Sequence, residues 1–223
     1  MVPLPPLKDL PETFPVFPLS GALLLPRGHL PLNIFEPRYL AMVDESLGQG
    51  RYVGMVQPDR RLASGDSGPG LYRIGCLGRI DSFEATEDNR YLITLNGIIR
   101  FTIIEEVEGK SSYRQVRAGL AGFADDLMPA KTSVLPFPRE DLLSALTRYF
   151  SAVGADANWD TINQMEDIDL LTSLCMACPF PVEEKQALLE AKTLPQRAQT
   201  LRTLLEIHAF DSGRDDPSSS RLN

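Results

Sequence analysis

The sequence predicts an α+β protein: a small half-open β barrel carrying one inserted helix, followed by a small α-helical bundle. Three observations predict it. Short β-branched runs separated by turn residues occupy residues 12–124, and one segment of helical period interrupts them. From residue 139 onward, apolar side chains recur at helical spacing. Strands first and helices after is the order of a chain in which a sheet and a group of helices each bury one face.

Residues 1–11 hold four prolines and read as an extended leader. TFPVFPL (13–19) is short, apolar and broken by prolines, the pattern of an edge or irregular strand. Glu36 to Leu47 places Tyr39, Leu40, Val43 and Leu47 on one helical face, with Gly48 near the C-cap. RYVGMVQP (51–58) reads as a buried strand stopped by proline. RIGCLGRIDSFEATED (73–88) carries apolar Ile74, Cys76, Ile80 and Phe83, with glycines that mark a bulge or bend. YLITLNGIIRFTIIEEVE (91–108) is the densest β-branched run. Its Asn96-Gly97 pair fits either a tight turn or a bulge within one bent strand. YRQVRAGL (113–120) alternates as a final strand. Five or six strands with short loops make a half-open barrel.

Residues 125–138 form a proline-bearing connector into the helical part, 139–210. EDLLSALTRYF (140–150) has its apolar residues at Leu142, Leu143, Leu146, Tyr149 and Phe150. A short helix over Trp159–Met165 follows, and then IDLLTSLCMACPF (168–180), which must stop near Pro179. VEEKQALLEA (182–191) opens with acids that suit a helix N-terminus. Thr193 with Gln196 has capping-box spacing and opens a last helix with Leu194, Ala198, Leu201, Leu205 and His208 on one face. Residues 211–223 are rich in Ser and Asp, lack apolar periodicity and read as a disordered tail.

Hydrophobic residues make up 43% of the 223-residue chain, enough to bury a core. Net charge is -8, from 22 basic and 30 acidic side chains, which opposes affinity for nucleic acid or an anionic membrane. The N-terminus lacks the basic and apolar regions of a signal peptide, and no window has the ~18 apolar residues a membrane span needs. Three cysteines do not make a disulfide framework, so the expected compartment is the cytoplasm.

Candidate chemistry is thin. GDSGPG (65–70) is like the surround of a serine nucleophile, but Ser67 would need a base and an acid to orient it. The two histidines, His29 and His208, stand in no matching motif, and the same residues suit a solvent loop. Gly109-Lys110-Ser111 ends like a phosphate-binding loop, but Ile104 stands where that loop needs its first glycine. Cys175 and Cys178 form C-x-x-C without a second pair for zinc, and lie at the end of an apolar helix rather than at its start. They read as buried small residues, as does Cys76. Adjacent acids such as Glu105-Glu106, Asp125-Asp126 and Glu183-Glu184 face apart and read as solvated surface. The expectation is a chain with no catalytic, cofactor or metal site. A cryptic hydrolase using Ser67 or a cysteine is the enzymatic alternative.

FPVFPLSGALLLPRGHLPLNIFEPRYLAMV (14–43) resembles the opening of the Lon-protease N-terminal, substrate-binding domain, through Phe17-Pro18-Leu19, Pro26-Arg27-Gly28, Pro31-Leu32 and Ile34 to Tyr39. YRIGCLGRIDSFEATEDNRYLITLNGIIRFTI (72–103) is similar to that family's middle strands, with Gly97 and Arg100 in place. VEEKQALLEA and LPQRAQTL, within 182–201, resemble its E-K-Q-x-L-L-E helix and the next one. The resemblance covers about residues 12–208 in the right order. It implies a PUA-like barrel followed by a helical bundle. It also implies a non-catalytic module that binds exposed apolar segments of unfolded proteins, with a protease or a chaperone as partner.

Beyond residue 208 the sequence has no long coiled-coil helix, AAA+ module or Ser-Lys peptidase domain, so the expectation is a stand-alone module. The zinc-binding cysteine spacing of cereblon, a distant relative of the family, is also missing. Residue by residue, Phe35, Arg38 and Tyr39 are the peptide-binding candidates that the resemblance implies. Against that stands a structural reading, in which Arg38 ties strand carbonyls together while Phe35 and Tyr39 anchor the first helix. PUA-like barrels also include RNA binders, an alternative that the net charge opposes.

Overall fold

A computed structural model of the chain describes residues 4–64, 68–107, 112–129 and 134–214. Six strands form one mixed sheet: β1 (Thr13–Pro18), β2 (His29–Ile34), β3 (Tyr52–Val56), β4 (Ile74–Ala85), β5 (Tyr91–Val107) and β6 (Gln115–Gly119). The strand order is β2-β5-β4-β3-β1-β6, and β5 also pairs with β6, so five strands close into a ring with β2 added outside on β5. Helix α1 (Pro37–Gly48) is inserted between β2 and β3. Five helices follow the sheet: α2 (Arg139–Val153), α3 (Trp159–Gln164), α4 (Asp167–Ala177), α5 (Val182–Glu190) and α6 (Leu194–Arg214). The class is α+β.

β5 is long enough, at 17 residues, to serve three partners, and a bulge bends it as it does so. Leu77 pairs with Ile99 while Gly78 pairs with Gly97, so Ile98 is the extra residue. Asn96-Gly97 is therefore a bulge inside one strand, not a hairpin turn. The glycine is required by a close approach: a Cβ at Gly97 would stand 2.0 Å from the Leu25 carbonyl oxygen. That approach comes from the buried Leu23–Leu25 segment, whose continuation is tied to β5 by the bonds Arg27 N–H to Gly97 O and Gly97 N–H to Gly28 O, both 2.8 Å.

Of the two readings its prolines allowed, β1 is not an edge strand but an irregular one that changes partner midway. It runs parallel to β3 over Val16–Pro18 and antiparallel to β6 over Thr13–Pro15. Pro15 and Pro18 each fall at the end of one ladder, where the missing N–H leaves no gap in mid-ladder. β2 went unread in the sequence, because Pro31 disguises it. It is the true edge strand, the place where a proline is tolerated.

Inside the ring Val16, Leu77, Ile99, Phe101 and Val116 are fully buried, and Phe14 meets Phe101 edge to face with centroids 5.0 Å apart. Burying an aromatic ring of this kind contributes roughly 1.5–3 kcal/mol.

The chain divides into two compact units, residues 1–129 with 176–189, and residues 130–175 with 190–223. The sequence reading put all of 139–210 in one helical unit; α5 instead belongs with the sheet. Its polar side chains explain this. Gln186 Nε2 donates to the Ile74 carbonyl at 3.1 Å, and Lys185 Nζ donates to the carbonyls of Gly21 and Met176 at 2.8 and 3.2 Å.

In the second unit α2 packs on α6. Gly154 ends α2 with φ of 65°, a left-handed cap that suits glycine. Thr193 Oγ1 accepts from Gln196 N–H at 3.3 Å, and Gln196 Oε1 accepts from Lys192 N–H at 3.0 Å, one residue earlier than an ideal capping box. α6 reaches Arg214, four residues into the stretch expected to be a tail, because adding turns to an existing helix is cheap even for polar residues.

Candidate recognition trough

Beyond Arg79, β4 has no β3 partner, so residues 80–85 join β2 and the start of β5 in a three-stranded antiparallel arm. Along β5, Ile93 and Leu95 are buried, so Leu92 and Thr94 face the other way. Register then places side chains in rows across that outer face. Pro31, Thr94 and Ser82 make one row, and Asn33, Leu92 and Glu84 the next. These six, with Leu32, Ile93 and Phe83 between the rows, line an open trough of about 450 Å³. One row further on, the Arg90 guanidinium lies 5.7 Å over the Phe35 ring. Arg90 is paired with Asp88 at 2.8 Å.

The face is accessible and partly apolar: Phe35 is 61% exposed and Leu92 42%. Glu84 is the one ionisable side chain among the residues lining the trough, and among the described residues it has no ion pair or side-chain hydrogen bond. On the opposite face of the arm Phe83 meets Tyr91 at 4.9 Å. The Tyr91 phenol is raised above its ordinary pKa, chiefly by its hydrogen bond to the Asp44 carboxylate of α1.

The three residues singled out in the sequence are separated by their surroundings. Phe35 is exposed under Arg90 just past the end of β2, next to the residues that line the trough rather than among them. Tyr39 is buried on Phe17, with centroids 4.3 Å apart, and burial pushes its phenol upward in pKa. Arg38 lies 4.5 Å over the Tyr39 ring and pairs with Glu36 at 2.8 Å in solvent. It does not tie strand carbonyls together, as the structural reading had it.

Arg100 has that framework role instead. Its guanidinium is 5% exposed and forms a two-pronged pair with Asp126, at 2.9 Å from Nε to Oδ2 and 2.8 Å from Nη2 to Oδ1. The Arg100 N–H also donates to Asp126 at 3.0 Å, Nη1 donates to the Leu189 carbonyl at 3.2 Å, and the guanidinium stacks 4.8 Å from Phe123. One cation thus holds β5, the 3-10 turn Ala121–Leu127 and α5 together.

Sequence reasoning missed Leu92, Glu84 and Pro31. One sign was available: in YLITLN, Leu92 is an apolar residue at the solvent-facing parity of the strand.

The cysteines and Lys185 sit in the framework. Cys76, Cys175 and Cys178 are buried free thiols, and burial pushes Cys178 up to about 11, leaving it protonated and un-nucleophilic. Burial lowers Lys185, whose ammonium is occupied by two carbonyls. No group of three or more metal-ligating side chains occurs among the described residues, and none of their helices is long and apolar enough to cross a membrane. Ser67 and Gly109-Lys110-Ser111 lie outside the described residues.

The fold and site therefore define an α+β domain with buried charges bonded into its framework and an open trough on its outer arm. The family model for the ATP-dependent protease La (LON) substrate-binding domain matches residues 13–206, and the chain belongs to that family. It is 23% identical over 199 residues to Lon protease 2 of Myxococcus xanthus, a match covering 89% of this chain and 24% of that protein. It is 27% identical over 216 residues to the Lon protease of Syntrophus aciditrophicus, covering 91% and 26%. The chain thus spans about a quarter of the length of these relatives.

Among solved structures, the Lon N-terminal domain protein from Xanthomonas campestris superposes with a TM-score of 0.55 at 20% identity, covering 86% of this chain and 97% of that one. The N-terminal domain of the Mycobacterium avium complex Lon protease gives 0.54 at 15%, covering 92% and 99%. These two likenesses are likenesses of fold.

Proposed function

We propose that this chain is a non-catalytic recognition module that binds exposed apolar segments of unfolded proteins along the trough of the β2–β5–β4 arm. The observation that carries it is an accessible trough lined by Leu92 and Pro31, with exposed Phe35 just past its end, on a domain of the LON substrate-binding family. An apolar strip in a concave surface is what burial-driven recognition needs. The closed five-strand ring supports a PUA-like barrel, and the helices after it support a small bundle. Phe35 contacts the client, while Tyr39 and Arg38 support it from behind, fixing the start of α1. The domain's own part is recognition, and the clients it holds are passed to a protease or a chaperone. Three free thiols favour the cytoplasm, and the net charge of -8 favours protein over RNA as the partner.

Reduced, carboxymethylated α-lactalbumin is a suitable unfolded probe. Phe35→Ser combined with Leu92→Ser leaves the fold intact and weakens binding about tenfold or more, since two exposed apolar contacts are lost. Unchanged affinity refutes the trough as the binding surface. Release of peptides from casein that disappears in Ser67→Ala or Cys178→Ala would replace the whole reading with a hydrolase.

A further inference from the structure

The trough is not neutral. Glu84 sits in the same row as Leu92, exposed and without a cationic partner among the described residues. The nearby arginine offers no compensation, because Arg90 is already paired with Asp88. Asp81, at the bulge in the same strand, is also exposed and has no ion pair among the described residues. Phe35 at one end and Pro31 at the other lie four residues apart, about 14 Å at strand spacing, which admits about four residues of an extended segment. Addition of a strand to the edge of β2 is disfavoured, since Pro31 supplies no N–H in the middle of that edge. An occupant therefore lies across the face, where its side chains are read.

We propose that the trough selects extended protein segments in which Lys or Arg alternates with apolar residues. The apolar side chains rest on Leu92, Pro31 and Phe35, and the cation pairs with Glu84. This rests on the trough being the client surface and adds a charge preference to it. Recognition by shape and apolar area alone would accept an acidic segment equally; an unpaired carboxylate beside the apolar contact does not.

The experiment uses the full chain and two labelled twelve-residue peptides, one alternating Leu with Lys and one alternating Leu with Glu, titrated by fluorescence anisotropy at physiological salt. The Lys peptide binds about tenfold tighter. A single exposed ion pair accounts for up to about fivefold of that, and repulsion of the acidic peptide for the rest. Glu84→Gln closes most of the gap, whereas Asp9→Asn, which removes the same charge elsewhere on this unit, leaves it unchanged. Equal affinity for the two peptides overturns the charge preference, and so does a gap that Asp9→Asn closes as well as Glu84→Gln, since that is the effect of net charge alone.

Leu92→Asp separates the two levels. If it abolishes binding of both peptides while their affinities were equal, the trough stands and the preference falls. If it changes neither, or if no peptide binds at all, both are overturned.

Discussion

Removing the Asp126 carboxylate takes from the buried Arg100 guanidinium the anion it is paired with. Asp126 accepts three hydrogen bonds from Arg100, one from the backbone N–H and two from the guanidinium, and the two side chains are only 10% and 5% exposed. Breaking one side of a buried pair costs about 3–5 kcal/mol, far more than the pair is worth against an apolar replacement. At an m-value of about 3 kcal/mol/M in urea, Asp126→Ala lowers the unfolding midpoint by about 1–1.7 M. Far-UV circular dichroism in a urea series measures it.

The double variant Arg100→Met, Asp126→Leu is the informative companion. With both charges gone the desolvation penalty disappears, and the midpoint returns to within about 0.5 M of the parent. Loss of less than about 0.3 M in Asp126→Ala, or a double variant as weak as the single one, would refute the view that this cation is the tie between β5 and α5.

Gly97→Ala drives a methyl group into the Leu25 carbonyl and destabilises by about 1–3 kcal/mol or more, again read from urea midpoints. Arg38→Ala, by contrast, breaks only a solvent-exposed pair with Glu36 and costs under about 1 kcal/mol. For Cys178 the folded thiol titrates at about 11 against an ordinary value of 9.0, so the unfolded chain loses its proton first. Stability from this group is complete below pH 9 and falls as pH rises toward 11; Cys178→Ala removes that alkaline loss of about 2–3 kcal/mol, seen as a flatter midpoint-versus-pH curve. Leu92→Ser, on the exposed face of the arm, changes the midpoint by no more than about 0.5 kcal/mol equivalent while reducing client binding.

Local pattern made most of the elements legible. Alternation in YRQVRAGL and helical period in EDLLSALTRYF each respond to one buried face, and that is information a single segment carries. The family resemblance also marked Gly97 and Arg100, but their work is nonlocal: a backbone approach from Leu25 and a pair with Asp126. β2 was hidden because Pro31 is a strand breaker everywhere except on an edge, and edge position is decided by the fold. For β1 the prolines left edge and irregular strand open, since two prolines can also end two different ladders. The trough stayed invisible for a related reason. Glu84, Leu92 and Asn33 become neighbours only through strand register, which their local sequence does not encode. Phe35 was picked out by motif, and Tyr39 with it, yet motif alone did not separate the exposed ring from the buried one.

Helix α5 returns to the sheet after the chain has already left it, so the polypeptide passes between the two units three times rather than once. Cutting after Pro129 would strip Gln186 and Lys185 from the carbonyls of Ile74 and Gly21, and would take the Leu189 carbonyl from Arg100. The first 129 residues are therefore not a self-sufficient piece. Any exchange of the helical unit between homologues must be spliced at three places and leave residues 176–189 with the recipient sheet.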